Sequence, residues 1–110
     1  MIICNNVCKE FTSCKSFYAV NNVSLRIKKG EFVAVIGKSG SGKSTLMNMI
    51  GLIEQPTSGD IHIDGVSVNK MKPSELAHLR NKKIGYIFQS FYLEYAYPVY
   101  RNVEMPLLIS

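Results

Sequence analysis

The order of apolar and polar residues in the first third of the chain predicts β-structure. Residues 2–8 and 18–28 both predict strands, and the second ends in alternating apolar and polar side chains, the period of a strand with one buried face. Residues 31–36 form an almost continuous apolar run that stops at Gly37. Such a run is typical of a strand buried on both faces, in a sheet covered by helices.

A helical period replaces the strand pattern over residues 43–50. Leu46, Met47 and Ile50 recur there at helical spacing. Gly51 is a suitable end for the helix, although Leu52 and Ile53 could extend it by a turn. The spacing predicts a helix whose apolar face includes Leu46, Met47 and Ile50.

Turn and helix signals organise the middle of the chain. Asp64 and Gly65 suit a tight turn, so the apolar residues around them predict a short hairpin. Pro73 can occupy the first position of a further helix. Residues 84–88 then predict another buried strand.

Aromatic residues concentrate in one stretch near the end of the chain. Two interpretations of this stretch stay open. Exposed aromatic side chains are good anchors for a protein partner. The same side chains can instead pack inside a small helical subdomain. The residues are Phe91, Tyr92, Tyr95, Tyr97 and Tyr100.

Length and composition restrict the class of protein. The 110 residues are 46% hydrophobic and 19% charged, which corresponds to one small globular domain or to part of a larger one. No apolar run approaches the roughly 18 residues that a membrane-spanning helix needs. The first residues lack the charged and apolar regions of a secretory signal, so we expect a cytosolic chain.

The net charge of +5 and the three cysteines add little chemistry of their own. The basic residues are spread along the chain, which favours a solvated surface and gives no reason to expect a nucleic-acid partner. An odd number of cysteines does not form a disulfide framework, and the spacing of Cys4, Cys8 and Cys14 differs from that of most zinc sites. We expect reduced thiols.

The segment with the most specific chemistry is rich in glycine and lies between the predicted strand at 31–36 and the predicted helix at 43–50. It matches the phosphate-loop pattern G-x-x-x-x-G-K-[ST] at every fixed position. The alternative is a flexible loop with an incidental lysine, and the flanking strand and helix argue against it. The segment reads Gly37-Lys38-Ser39-Gly40-Ser41-Gly42-Lys43-Ser44.

Each fixed residue of this pattern has a physical reason to be in a triphosphate-binding loop. Gly37, Gly40 and Gly42 lack a Cβ atom, so backbone N–H groups can approach phosphates closely. The helix that starts near Lys43 directs unpaired N–H groups and its positive dipole end at the same point. Lys43 can reach the β- and γ-phosphates, and the Ser44 hydroxyl is an oxygen ligand for Mg²⁺.

Together with residues 56–59 and 84–89, the loop resembles the ATP-binding domain of ABC transporters, and the resemblance covers essentially the whole chain. It implies an α/β protein with a P-loop NTPase core, in which a mixed sheet surrounds a Walker A loop and its helix. An antiparallel β subdomain and the start of a helical subdomain complete the implied fold. Residues 79–85, 88–91 and 102–108 are most similar to the branch that releases lipoproteins and exports macrolides or peptides.

The resemblance also implies roles for individual residues. Gln89 matches the Q-loop glutamine, so Lys43 and Gln89 are the expected catalytic residues, and Ser44 and Gln89 are the expected Mg²⁺ ligands. An aromatic residue near the first strands is expected to stack on adenine; Phe11 is the first candidate and Tyr18 the alternative. The other implied ATP contacts follow the Walker A loop: Gly37, Ser39, Gly40, Ser41, Gly42, Lys43, Ser44 and Thr45.

Several parts of the family's machinery have no counterpart in the sequence. No signature motif occurs, no apolar run ends in Asp-Glu as a Walker B strand would, and His62 and His78 lie too early to be the switch histidine. We therefore expect residues 1–110 to be a truncated ATP-binding domain, equivalent to its amino-terminal half. Its central sheet would lack strands, so these residues alone would be poorly stable and inactive. Whether residue 110 is a natural end stays open.

In a full-length protein, the resemblance implies an ATPase that works with partners. We expect two ATP-binding domains in a homodimer, and a transmembrane permease subunit that holds them at the inner, cytoplasmic face of the cell membrane. ATP and Mg²⁺ would drive export or extraction of a substrate. Three alternatives stay open: a soluble ABC-type ATPase without a membrane partner, another P-loop protein such as a GTPase or kinase, and a remnant that only binds nucleotide.

Overall fold

The computed structural model describes residues 1–12 and 16–108, so Cys14 and the last two residues lie outside the described chain. Among the described residues, no helix is long and apolar enough to cross a lipid bilayer. The elements in chain order are β1 Ile2–Thr12, β2 Ser16–Ile27, α1 Lys43–Ile50, β3 Ser58–Ile63, β4 Val66–Ser67, α2 Pro73–Lys83 and α3 Val99–Leu108.

The strands form an antiparallel sheet in the order β2-β1-β3-β4. The strands predicted within 2–8 and 18–28 are confirmed. β1 extends beyond the predicted range to Thr12, and β2 begins earlier, at Ser16, because the pairing of the two strands continues as far as these residues. β1 therefore lies between β2 and β3 and pairs with both.

A β-bulge interrupts the pairing of β1 with β2. Lys9 is opposite Val20 and Glu10 is opposite Tyr18, so Ala19 has no partner of its own on β1. A bulge of this kind bends the strand and changes the direction of its backbone groups. The phosphate loop lies against this bulge.

The hydrophobic core lies between the sheet and α1. The helix predicted over 43–50 is confirmed with the same bounds, but Met49 is buried in place of Met47, which stays exposed. Both residues are compatible with a helical period, so only the position of the sheet decides between them. Burial raises the pKa of the Cys4 thiol, which keeps it neutral. The most deeply buried side chains are Cys4, Val7, Met49 and Ile61.

The predicted hairpin and the predicted start of α2 are also confirmed. Asp64 and Gly65 have positive φ angles of 50° and 85°, the combination that a type I′ turn requires. α2 begins at Pro73, and the Lys72 N–H donates to the Glu75 carboxylate at 2.7 Å, which caps the first turn.

The prediction of buried strands at 31–36 and 84–88 is wrong for the described chain. Neither run is part of a strand, and Phe32 and Ile87 are 99% and 97% exposed. A strand is defined by backbone hydrogen bonds to a neighbour, and none of the described strands pairs with either run. Most of their apolar side chains are therefore exposed, as expected for a sheet that lacks strands, although Ile84 packs against the core and Tyr86 is half-buried.

Candidate functional site

The phosphate loop connects the exposed run at 31–36 to α1. The helix begins at Lys43, directly after Gly42, which ends the loop in a left-handed conformation with φ 86°. The Leu46 N–H donates to the Gly42 carbonyl at 2.9 Å and closes the first turn. The N–H groups at the start of that turn have no partner within the helix and carry a partial positive charge. The loop thus ends at the positive end of a helix.

Close contact with β2 explains why Gly42 has no side chain. A Cβ atom there would lie 2.0 Å from the carbonyl oxygen of Ala19, the bulged residue. Gly40 also has a positive φ, 76°, but its Cβ would meet no atom within 4 Å. Gly42 is therefore required for space and for backbone conformation, whereas Gly40 is required for conformation alone.

The side chain of Lys43 folds back into the loop. Its Nζ donates to the carbonyl oxygens of Lys38 at 2.6 Å and Gly37 at 3.0 Å, and Ser41 Oγ lies 3.5 Å away. A full positive charge is thus held beside the partial positive charge of the helix. This arrangement attracts a chain of phosphates.

A cavity of about 680 Å³ brings together three residues predicted for the site, Lys43, Ser44 and Gln89. The first two belong to the first turn of α1, and Gln89 follows the run at 84–88, so two distant parts of the chain meet there. The other predicted residues are not part of its lining. Of these, Ser39 and Ser41 are exposed in the loop, and Thr45 is half-buried on α1.

The side-chain oxygens of Ser44 and Gln89 are suitable ligands for Mg²⁺. This ion commonly binds to one or two protein oxygens and completes its coordination with phosphate oxygens and water. Among the described residues, no group of three or more His, Cys, Asp or Glu side chains could hold a metal ion. The cavity therefore fits Mg²⁺ when the ion arrives together with a phosphate chain.

Phe11 and Tyr18, the two candidates for base stacking, lie on opposite faces of the paired strands β1 and β2. Phe11 is opposite Phe17, with ring centroids 5.7 Å apart, and Lys9 Nζ lies 5.3 Å from the centre of the Phe11 ring. Tyr18 is opposite Glu10 and therefore points to the other face of the hairpin. Phe17 was not found from the sequence, because only the strand register pairs it with Phe11.

Contacts of Lys9 show which face of the sheet carries this aromatic pair. Its Nζ lies 3.0 Å from the Glu54 carboxylate and donates to the Gln55 carbonyl at 2.9 Å. Both partners follow α1 in the chain. Lys9 is also opposite Val20, and a Cβ atom on Gly42 would lie 3.5 Å from Val20 Cγ2. Phe11 and Phe17, which contact each other beside Lys9, therefore lie on the side of the sheet that the phosphate loop contacts.

Comparisons with known proteins agree with this geometry. The ABC transporter family model matches residues 20–106. The ATP-binding protein MJ0796 of Methanocaldococcus jannaschii is 44% identical over the whole chain, which covers 47% of that protein. LolD of the lipoprotein-releasing system of Buchnera aphidicola is 45% identical over 97% of the chain and 47% of LolD. The macrolide export protein MacB of Campylobacter fetus is 47% identical over 96% of the chain and 17% of MacB.

Solved structures of MJ0796 share the fold. The chain matches the dimeric structure of this cassette with a TM-score of 0.94, and a dimeric post-hydrolysis state bound to ADP and phosphate with 0.93, at 44% and 43% identity. Each match covers 99% of this chain and 47% of the solved chain, so the chain spans about half the length of these relatives. The α/β fold class and the resemblance stated from the sequence are confirmed. With the family model matching residues 20–106, this chain belongs to the ABC transporter family.

Proposed function

We propose that this chain is the Walker A and Q-loop half of an ATP-binding subunit, which uses MgATP to drive export or extraction through partner membrane subunits. The observation that carries the proposal is the meeting of Lys43, Ser44 and Gln89 at one cavity of about 680 Å³. This arrangement combines positive charge for a phosphate chain with two oxygen ligands for a metal ion.

The loop binds the triphosphate. N–H groups of the loop and of the first turn of α1 donate to phosphate oxygens. Lys43 exchanges its hydrogen bonds with the Gly37 and Lys38 carbonyls for bonds with the β- and γ-phosphates. The exchange is favourable because hydrogen bonds between two charged groups are stronger than those to a neutral carbonyl.

Gln89 and Ser44 prepare the terminal phosphate for hydrolysis. Their side-chain oxygens would hold Mg²⁺, and the ion would supply positive charge to the phosphate oxygens. The Gln89 amide can also accept a hydrogen bond from water, so it orients the attacking water molecule. Residues 1–110 contain no signature motif and no Asp-Glu pair after an apolar run. Turnover therefore needs groups from outside this span, and residues 1–110 alone bind nucleotide without hydrolysing it.

Phe11 stacks on the adenine ring. Its aromatic face suits a flat base, although it lacks the hydroxyl group of a tyrosine. Support comes from its position on the side of the sheet that the phosphate loop contacts, with Phe17 beside it, and from the opposite orientation of Tyr18.

The proposed partners are a second ATP-binding domain in a homodimer and a transmembrane permease. MJ0796, which is 44% identical, was solved as a dimer. Phe91 and Tyr95 are strongly exposed in the segment before α3, which supports a partner-binding role for the aromatic stretch over internal packing. Through the permease, the subunit would lie on the cytoplasmic face of the cell membrane.

Replacing Lys43 tests the assignment of the phosphate loop. Lys43→Ala should weaken MgATP binding about tenfold to a hundredfold, because it removes charge-assisted hydrogen bonds to phosphate. The measurement is MgATP affinity by calorimetric titration, with ATP turnover of the protein as its gene encodes it. Lys38→Ala is the matched control, since this lysine is in the same loop at a variable position, and its affinity should change less than about threefold. Unchanged affinity and turnover in Lys43→Ala would contradict the proposal.

A further inference from the structure

The segment that carries Gln89, residues 84–90, has no regular secondary structure in the described chain. Backbone without ladder hydrogen bonds and with exposed side chains opens easily. The segment continues from α2 at Ile84, whose N–H donates to the Arg80 carbonyl at 3.0 Å and whose side chain packs against the core. Beyond Ile84, side-chain contacts connect the segment to α1.

Tyr86 makes the contacts that hold this segment to α1. Its hydroxyl donates to Asn48 Oδ1 at 2.7 Å in a partly buried position. Its ring lies against Gly51, where an added Cβ atom would be 2.7 Å from two ring carbons. A hydrogen bond at one end and a close fit along the ring leave the side chain little freedom.

Asn48, the residue of α1 that Tyr86 contacts, lies next to the candidate site. Asn48 is four residues after Ser44 and hence on the same face of the helix. Both line the cavity of about 680 Å³, as do Tyr86 and Gln89. The hydrogen bond of Tyr86 thus connects the wall that carries Gln89 with the helix that carries Ser44.

Aromatic contacts extend the attachment to both sides of Gln89. The Phe88 ring is 4.6 Å from the Tyr86 ring, and the Tyr92 ring meets Phe88 edge-on at 5.0 Å. Ring pairs at these distances are favourable. Gln89 therefore lies between Phe88 and Tyr92, and these rings connect it to the contact that Tyr86 makes with α1.

We propose that Tyr86 is a positioning residue that sets the distance between Gln89 and Ser44 across the cavity. The inference rests on the proposed function, because it concerns the two oxygen ligands of the same site. Without the Tyr86 hydroxyl, the phosphate loop still binds nucleotide, but Gln89 meets the metal ion and the water molecule less often. The loss then falls on the Mg²⁺-dependent step and leaves the binding of the phosphates unchanged.

Tyr86→Phe tests this role, because it removes one hydroxyl and keeps the ring. In the protein as its gene encodes it, we expect faster amide hydrogen exchange in residues 84–90. We also expect the Mg²⁺ concentration for half-maximal activation of its turnover to be about three- to tenfold higher, the range of one net hydrogen bond. Affinity for ATP measured without Mg²⁺ should stay within about twofold of the wild type, since the loop is untouched.

A pair of glycine variants provides a second test with a matched control. Gly51→Ala adds a Cβ atom that forces the Tyr86 ring away. Like Tyr86→Phe, it should therefore speed amide hydrogen exchange in residues 84–90 and raise the Mg²⁺ concentration for half-maximal activation. Gly85→Ala is the control, because its Cβ would meet no atom within 4 Å although it is next to Tyr86. It should leave both measurements near the wild type.

Two results would overturn the positioning role. One is hydrogen exchange and a Mg²⁺ requirement in Tyr86→Phe that equal those of the wild type. The other is a parallel loss of ATP affinity without Mg²⁺, which would make Tyr86 a general support of the fold. If the wild type itself binds no nucleotide, the proposed function fails. The positioning role is tested separately, because unchanged amide hydrogen exchange in Tyr86→Phe would show that the Tyr86 hydroxyl does not hold residues 84–90 in place.

Discussion

Two apolar parts of this chain have opposite surroundings. The sheet and α1 bury a contiguous set of apolar side chains between them, whereas most apolar side chains of the runs at 31–36 and 84–88 are exposed. Ile61 is 0% exposed and Ile87 is 97% exposed, although they are the same type of residue. Hydrophobicity therefore does not decide burial by itself, and the presence of a packing partner does.

The phosphate loop lies at the border between these two parts. Its end is fixed to the buried part, because Gly42 contacts β2 at Ala19 and Leu46 anchors α1 in the core. Its beginning continues from the exposed run at 31–36. The phosphate loop around Lys43 is thus held in place mainly by contacts with β2 and by α1.

The largest effect should come from a direct comparison of two isoleucines. Ile61→Ala leaves a cavity in the core and should lower the free energy of unfolding by about 2–5 kcal/mol. Ile87→Ala removes an exposed side chain and should change it by less than about 0.5 kcal/mol. Urea unfolding of the two variants measures both values. Equal losses would mean that the run at 84–88 is covered in solution, and the contrast between the two regions would then be wrong.

A second comparison tests how firmly the buried part holds the loop. Gly42→Ala should lower the free energy of unfolding by about 3 kcal/mol, because the new Cβ would clash with the Ala19 carbonyl and strain a left-handed residue. Gly40→Ala shares only the backbone strain and should cost about 1 kcal/mol. Thermal unfolding together with ATP affinity measures both effects. Similar values for the two variants would show that the Ala19 contact does not support the loop.

The smallest effect concerns two exposed ion-pair sites, one beside the sheet and one on α3, and at the first of them it depends on pH. The Met1 α-amine, hydrogen-bonded at 2.8 Å, and next Lys83 at 3.1 Å lower the pKa of the Asp64 carboxyl in the β3–β4 turn. Because the pKa of this carboxyl is lower in the folded protein than in the unfolded chain, its ionised form stabilises the fold at pH values above the unfolded-state pKa. The stabilisation is lost as the pH falls through the folded-state pKa. Asp64→Asn should therefore flatten the acid side of the stability profile slightly, since exposed pairs are screened by water and salt.

The matched variant for this measurement is Glu104→Gln, which removes an exposed pair with Arg101 on α3. We expect this substitution to change the free energy of unfolding at pH 7 by less than about 0.5 kcal/mol, because an exposed pair within a single helix contributes little. A larger effect from Glu104 than from Asp64 would reverse the expected order of the two sites. Melting temperature measured from pH 7 down to pH 3 gives the comparison.

Local signals predicted much of the fold. The bounds of α1, the Asp64–Gly65 turn and the start of α2 at Pro73 depend on the preferences of a few neighbouring residues, which act in any context. The candidate site was predictable in the same way, because the phosphate-loop pattern combines a glycine-rich turn with a helix start. Contacts between distant residues were not predictable, among them Phe11 with Phe17, Gly42 with Ala19, and Tyr86 with Asn48.

By itself, the sequence determined the elements that form through contacts between near neighbours, and it determined the chemistry of the loop. Hydrogen bonds within a turn and the dipole of a helix need no distant partner. The tertiary structure alone decided which face of α1 is buried and where the runs at 31–36 and 84–88 lie. It also brought Gln89 to the cavity of Ser44. These outcomes depend on which surfaces meet, because burial and strand pairing are properties of two surfaces together.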